Sequence, residues 1–444
     1  MTVAPILAHG IGGRSDLPVP LWLAQYGAVT ALVVSFVVLI TFWKTPRLEA
    51  GAAGAGRPLP AWLQRLVDAR ATRVGLRALG LLLAGATVVV AALGPNSSAV
   101  NPAPTWVYVW FWVGLVPASI LLGPVWRLLN PLRTVSAGLA RLARDPEPRP
   151  MPPWLGYWPA AAGLAVFAWL ELVYLYRDEP FTLLVFFILY GTVQLWAGFL
   201  YGQDWYARGD PFEVYSSLLG SLSPFGRRDD GRLVLRNPLA GLAGLKAEPG
   251  LVAVVCVLLG STAFDGLSRT QGWNNLIIDA GPLQNALLGT VGLLLMIAVV
   301  AVTFEVATRA SQRFRRRDDA GERLDRRFVH SLVPILIGYT IAHYFSLFLF
   351  QGQAGYILAS DPFDRGWDLF GTADWKINLL LVSTTAIAVV QVCSIVTGHV
   401  LGVVVAHDRA VATFPRRNTL RGQYPLLVTM VFYTLGGIAL LLGT

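Results

Sequence analysis

The sequence predicts an all-α protein, a polytopic transmembrane bundle of about ten helices. Three observations carry this expectation. Hydrophobic residues make up 55% of the 444 positions and charged residues only 14%, against roughly 25% charge in a soluble domain. Long apolar stretches recur along the whole chain, and each can cross a hydrocarbon core, which takes ~20 helical residues. The connections between them alternate between rich and poor in Lys and Arg, the pattern that orients helices across a bilayer. Mean hydropathy is +0.56. No long polar block remains to house a separate soluble domain, so residues 1–444 read as one transmembrane bundle domain.

Spans are expected near 20–43, 74–94, 105–126, 154–176, 180–201, 249–268, 284–309, 328–350, 376–405 and 424–443. The connections 44–73, 127–153, 202–248, 310–327 and 406–423 collect the basic residues, among them Lys44, Arg47, Arg133, Arg141, Arg227, Arg228, Arg316, Arg317, Arg416 and Arg417. They are assigned to the cytoplasm, which leaves 95–104, 269–283 and 351–375 outside and makes both termini outward, N-out/C-out. The formal charge of +9 therefore reads as orientation in a membrane, with anionic lipid headgroups as partners at the cytoplasmic face, rather than as a nucleic-acid surface. A soluble protein partner would suit the same basic face. Met1–Ala8 lacks a basic n-region, so no signal peptide is expected.

Short interfacial helices are expected in the cytoplasmic loops. Asn130-Pro131, Asp210-Pro211 and Asn237-Pro238 each place a capping side chain before a proline, predicting surface helices over 130–143, 210–221 and 237–246. Asp210 with Glu213 resembles a capping box. Arg232–Arg236 alternates as a short strand does. Trp106, Tyr108, Trp110, Trp112, Trp154, Tyr157 and Trp158 read as an aromatic belt at the interfaces. Cys256 and Cys393 fall in apolar runs, as buried thiols do. Pro334 with Gly338 could break the eighth span, and Gly114, Pro117 and Gly123 the third. No phosphate-binding glycine motif follows a strand, which speaks against ATP-driven pumping by this chain.

Charges at membrane depth are expensive and are functional candidates by default. Glu171, Asp265 and His343 lie in the outer parts of their spans and are the candidate catalytic residues. Asp265 with Arg269, and Glu305 with Arg309, have the i,i+4 spacing of local ion pairs. Imidazole titrates near neutrality and binds transition metals, so His343 is a candidate metal ligand or proton carrier, or a neutral ring bonded to a neighbouring helix. In the outer loop, Asp361 before Pro362 could cap a helix carrying Asp361, Asp364 and Asp368 on one face, with Trp367 and Phe370 docking it. Three such carboxylates attract a divalent metal; a cap with a solvated face is the plainer account. The ninth span carries Gln391, Thr397, His399 and a Gly398–Gly402 pair, marking a helix central to the bundle. At its inner end His407, Asp408 and Arg409 read as a solvated cluster.

Several strings resemble a known family: His9-Gly10, Arg14-Ser15-Asp16-Leu17-Pro18, Asp210-Pro211-Phe212-Glu213, Ser223-Pro224-Phe225-Gly226-Arg227, Leu235-Arg236-Asn237-Pro238, Thr397-Gly398-His399 and Ala406-His407-Asp408-Arg409-Ala410. Across most of the chain they resemble multi-pass actinobacterial integral membrane proteins often labelled fenitrothion hydrolase. The resemblance implies a bacterial cytoplasmic membrane and hydrolysis of an organophosphate triester. It carries no agreed catalytic residues. Such hydrolysis usually uses metal-activated water; this chain has no HxH pair, so a metal would need ligands from several helices. Three functions follow as expectations: a membrane hydrolase with an outward metal-assisted site, a secondary transporter or ion permease, and a non-catalytic subunit or anchor.

Overall fold

The computed structural model describes residues 19–48, 56–143, 148–245, 248–315 and 323–442. The expectations for His9 and Arg14–Pro18, and for Arg316 and Arg317, lie outside the described residues. The helices that build the molecule are α1 (Leu21–Phe42), α2 (Arg70–Leu93), α3 (Ala103–Leu122), α4 (Pro131–Ala143), α5 (Trp158–Leu172) and α6 (Pro180–Tyr201). They continue with α7 (Pro211–Gly220), α8 (Leu251–Leu267), α9 (Pro282–Gln312), α10 (Val333–Ile357), α11 (Thr384–Thr413) and α12 (Thr419–Leu442).

The protein is a helical membrane-type bundle. Among the described residues, 8 helices are long and apolar enough to cross a membrane, and 9 if α8 is counted with Gln271–Ile277, to which it is joined at a 78° bend. The remaining expected span, α5, has 15 residues, short of the ~20 that crossing takes. Large apolar side chains such as Leu82, Leu93, Leu189, Val291 and Val428 stay exposed, as lipid-facing positions do.

Two compact units divide the chain. The first comprises 59–220 and 344–382, and the second, over the described residues, comprises 19–48, 56–58, 221–315, 323–343 and 383–442.

The first unit is organised around α7. The sequence reading made this a surface helix; instead nine of its residues are buried, Pro211 to Ser216 and Leu218 to Gly220. Phe212, Val214, Tyr215, Leu218 and Leu219 spread apolar surface around it, and its buried polar groups find partners inside, Glu213 with Arg133 and Ser216 with Ser119. Trp112 stacks on Tyr215 at 4.5 Å and meets Phe167 at 5.0 Å; Phe212 meets Phe167 at 5.1 Å. The belt expected at 106–112 thus turns inward in part. Trp154 and Trp158 stay exposed, as belt residues do. α3 opens as a π-helix over Trp106–Val113 that ends at Gly114, the glycine flagged as a break.

In the second unit α1 packs on α11 and α12, and α9 packs on α8 and α12. Ala28, Tyr339, Ala342, Ile395, Ile438 and Leu442 form one buried cluster. α11 starts eight residues later than the 376 expected, because Ser383 caps it, accepting from the Ala386 N–H at 3.2 Å. It then runs on through His407 to Thr413. Gly338 does not break α10; it meets Gly398 of α11 instead. Cys256 is buried as expected, whereas Cys393 is exposed. A small antiparallel sheet of order β1-β3-β2 joins β1 (Arg57–Pro58), β2 (Phe225–Arg227) and β3 (Leu233–Leu235); β3 is the strand expected at 232–236.

Candidate functional site

α8 carries Asp265 in its last turn, and α10 carries His343 near its middle. His343 Nε2 and Asp265 Oδ2 lie 2.6 Å apart, with both side chains buried. Arg269 donates from Nη2 to the other carboxylate oxygen at 2.6 Å. A single carboxylate therefore holds an imidazole on one side and a guanidinium on the other. The spacing of Asp265 and Arg269 announced their pair. The sequence groups His343 with Asp265 as candidates for the same site, but no spacing could fix their contact, because the partners are 78 residues apart. The Tyr339 ring lies one turn along α10, 6.1 Å from the His343 ring. Tyr339 was not singled out, since a tyrosine in an apolar span reads as core.

Glu171 is half-buried in the last turn of α5 and belongs to the first unit; Asp265 and His343 belong to the second. The carboxylates of the 351–375 loop also belong to the first unit. No helix forms over 361–374, which corrects the expected acidic helix face. Asp361 accepts from the Arg365 and Gly366 N–H groups at 2.9 and 2.6 Å. These backbone bonds hold its carboxyl below the usual aspartate range. Asp364 sits at φ 54°, a left-handed turn that Asp tolerates. Asp368 accepts from the Ala373 N–H at 3.0 Å. Trp367 and Phe370 are exposed; Phe363 packs against Val90, Ala91 and Ala103, and the Trp367 ring meets the Phe363 ring at 5.7 Å. Local Asx-type bonding beat helix formation because short acidic side chains compete for nearby N–H groups. Among the described residues, no three His, Cys, Asp or Glu side chains come together in a way that could hold a metal ion. The expected set of His343, Asp361, Asp364 and Asp368 is therefore not assembled.

The C-terminal end of α11 corrects a second expectation. His407 and Asp408 are buried, not solvated. Asp408 accepts from Trp43 Nε1 at 2.8 Å, the Arg47 N–H at 2.6 Å and the Leu48 N–H at 3.0 Å. His407 bridges Trp43 O at 2.9 Å and Gln423 Oε1 at 2.8 Å. Arg409 donates to Ala243 O at 3.3 Å. These residues clamp the chain leaving α1, which is a structural role. Asp408→Ala strands three donors and should release 43–48. Trypsin cleavage after Lys44 or Arg47 is expected to quicken on the order of tenfold; an unchanged rate would show the clamp to be idle. Deeper in α11, His399 is buried and its Nδ1 donates to Ile395 O at 2.8 Å. Glu305 pairs with Arg309 at 2.7 Å as its spacing predicted.

The first unit holds a second buried polar centre, which the sequence announced only as caps. Asn130 caps α4, accepting from the Leu132 and Arg133 N–H groups. Asp210 caps α7, accepting from the Phe212 and Glu213 N–H groups at 2.9 Å each. Asn130 Nδ2 donates to Asp210 at 3.1 Å and Tyr190 donates to it at 2.8 Å. Glu213 does not close a capping box; it takes Arg133 at 2.5 Å. Two carboxylates thus share a buried pocket with one close guanidinium. Burial pushes Asp210 above the usual range and outweighs its hydrogen bonds. It likewise pushes Glu213 up to about 7, against the pull of Arg133.

The sign of the linkage follows. The native Glu213 carboxyl keeps its proton to higher pH than the unfolded chain does. Its contribution to stability is full below its ordinary value of 4.5 and is lost as pH rises through about 7. Thermal unfolding in detergent should drop by roughly 5 °C between pH 5 and pH 8, and Glu213→Gln should flatten the slope. A wild-type profile that rises over this window would contradict the assignment.

Comparison of the chain with protein families, curated proteins and solved structures finds no match in any of the three.

Proposed function

We propose that the chain is a multi-pass protein of a bacterial cytoplasmic membrane, with both termini outward and its arginine-rich connections against anionic headgroups. Its second unit carries protons, alone or coupled to a solute, through Asp265 and His343. The observation that supports this reading is the buried 2.6 Å contact between these two side chains, with Arg269 on the same carboxylate. A carboxylate and an imidazole inside a bundle are costly in lipid unless they act or pair. Imidazole is the side chain whose charge ordinarily changes between pH 5 and 8. Arg269 keeps the carboxylate from being an unpaired anion when the ring releases its proton.

The test is proton entry into liposomes holding the purified protein and a pH-sensitive dye, driven by a potassium diffusion potential. Wild type should acidify the lumen on the order of tenfold faster than empty vesicles, and His343→Ala and Asp265→Asn should fall to the empty rate. Wild-type flux no greater than that of empty vesicles would sink the reading. The hydrolase implied by the resemblance is the second reading. It is favoured by the same pair, because a carboxylate-oriented imidazole is also a general base for water. Phosphotriester cleavage lost in His343→Ala, with no proton flux, would establish it instead.

A further inference from the structure

We infer that a water-filled path runs along the seam of α10 and α11, from Gln391 past Asp265 and His343 and inward to Tyr339 and His399. The inference rests on the proton-carrying reading for its use, but not for its existence. Tyr339 O, Gln391 Oε1 and His399 Nε2 are all buried and make no hydrogen bond among the described residues. Each of the three side chains is more than nine-tenths buried. One such atom is a packing accident. Three along one helix pair need a common explanation, since buried polar groups are satisfied by protein or by ordered water.

The register of the two helices places them together. A Cβ on Gly398 would lie 2.5 Å from Pro334 O and 3.1 Å from Gly338 Cα, and one on Gly402 would lie 2.8 Å from Ser331 O. The helices are therefore antiparallel and in backbone contact, with residue 398 opposite 338. With ~1.5 Å of rise per residue, Tyr339 and His399 lie within about 2 Å of that crossing level. His343 and Gln391 lie about 8 and 10 Å outward of it. Gln391, Ile395 and His399 are successive i+4 positions, one stripe of α11, as Tyr339 and His343 are of α10. The stripes meet: Tyr339 and Ile395 share one buried cluster. A Cβ on Gly266, next to Asp265, would lie 3.1 Å from the Tyr339 hydroxyl.

The chemistry of the lining suits proton hopping. His399 Nδ1 faces the Ile395 carbonyl, so that nitrogen carries the proton and Nε2 is left as an acceptor. The Tyr339 hydroxyl both donates and accepts, and the Gln391 carbonyl accepts. Waters bridging these groups would extend the Asp265–His343 pair toward mid-membrane.

The test replaces Gln391, His399 and Tyr339 singly by cysteine in a Cys256→Ala, Cys393→Ala background and measures modification by methyl methanethiosulfonate in liposomes. The reagent reacts with thiolate, which forms where water reaches. At least two of the three positions should react on the order of tenfold faster than Val403→Cys, a buried apolar position of the same helix. Rates equal to that control would overturn the path. Two conservative variants guard against misfolding. Tyr339→Phe removes only a hydroxyl with no partner among the described residues, so its melting temperature should hold or rise. Gln391→Leu removes the unpartnered acceptor together with the amide NH2, and in both variants proton flux should fall on the order of tenfold. Normal flux in both would overturn the role of these groups. Fast labelling with no wild-type flux would leave the water path standing and remove the proton-carrying reading alone.

Discussion

Asp265→Ala should cost about 3–5 kcal/mol of stability, because removing one partner of a buried charged group leaves the others uncompensated. His343 would lose its Nε2 contact and Arg269 a carboxylate oxygen, both at 2.6 Å. The guanidinium has some relief, since Arg269 is partly exposed and can reach the interface. The imidazole has none. The loss should appear in chemical or thermal unfolding of the detergent-solubilised protein. Asp265→Asn paired with His343→Gln should recover much of it, since two neutral amides can bond to each other without a buried charge. If Asp265→Ala unfolds like wild type, the carboxylate does not hold its two neighbours in place.

Gly398→Leu is expected to separate α10 from α11. Its Cβ would enter the space of Pro334 O and Gly338 Cα, and both are backbone, so no rotamer change relieves the clash. Overpacking of this kind costs about 1–3 kcal/mol, and more where the neighbours cannot yield. In lipid the penalty falls on helix association itself, which depends on close van der Waals contact. A cysteine crosslink engineered across the seam, Tyr339→Cys with Ile395→Cys, at two positions that share one buried cluster, should form readily in the otherwise wild-type chain. In Gly398→Leu its yield should fall on the order of tenfold. An undiminished yield would mean the backbones do not touch.

The apolar runs and the arginine alternation announced a helical membrane protein, because lipid leaves the backbone no other economical structure than hydrogen-bonded helices or a closed barrel. The caps at Asn130, Asp210 and Asn237 were legible for a similar reason: an Asx side chain before proline acts within three residues of itself. Where a side chain had a choice of partner, sequence was silent or misleading. Asp361 looked like one more cap before proline, yet it bonds Arg365 and Gly366 and no helix follows. Glu213 looked like half of a capping box and went to Arg133 instead.

By itself, then, the sequence determined the solvent of this protein and the type of most of its elements, since periodicity, hydropathy and capping are properties of neighbours along the chain. Only the tertiary structure decided that α7 lies inside, that His407 and Asp408 clamp the end of α1, and that Asp265 meets His343. Each of these depends on which distant helix supplies the partner. Register between helices is set by packed glycines and side-chain shape, which the linear order of residues does not express.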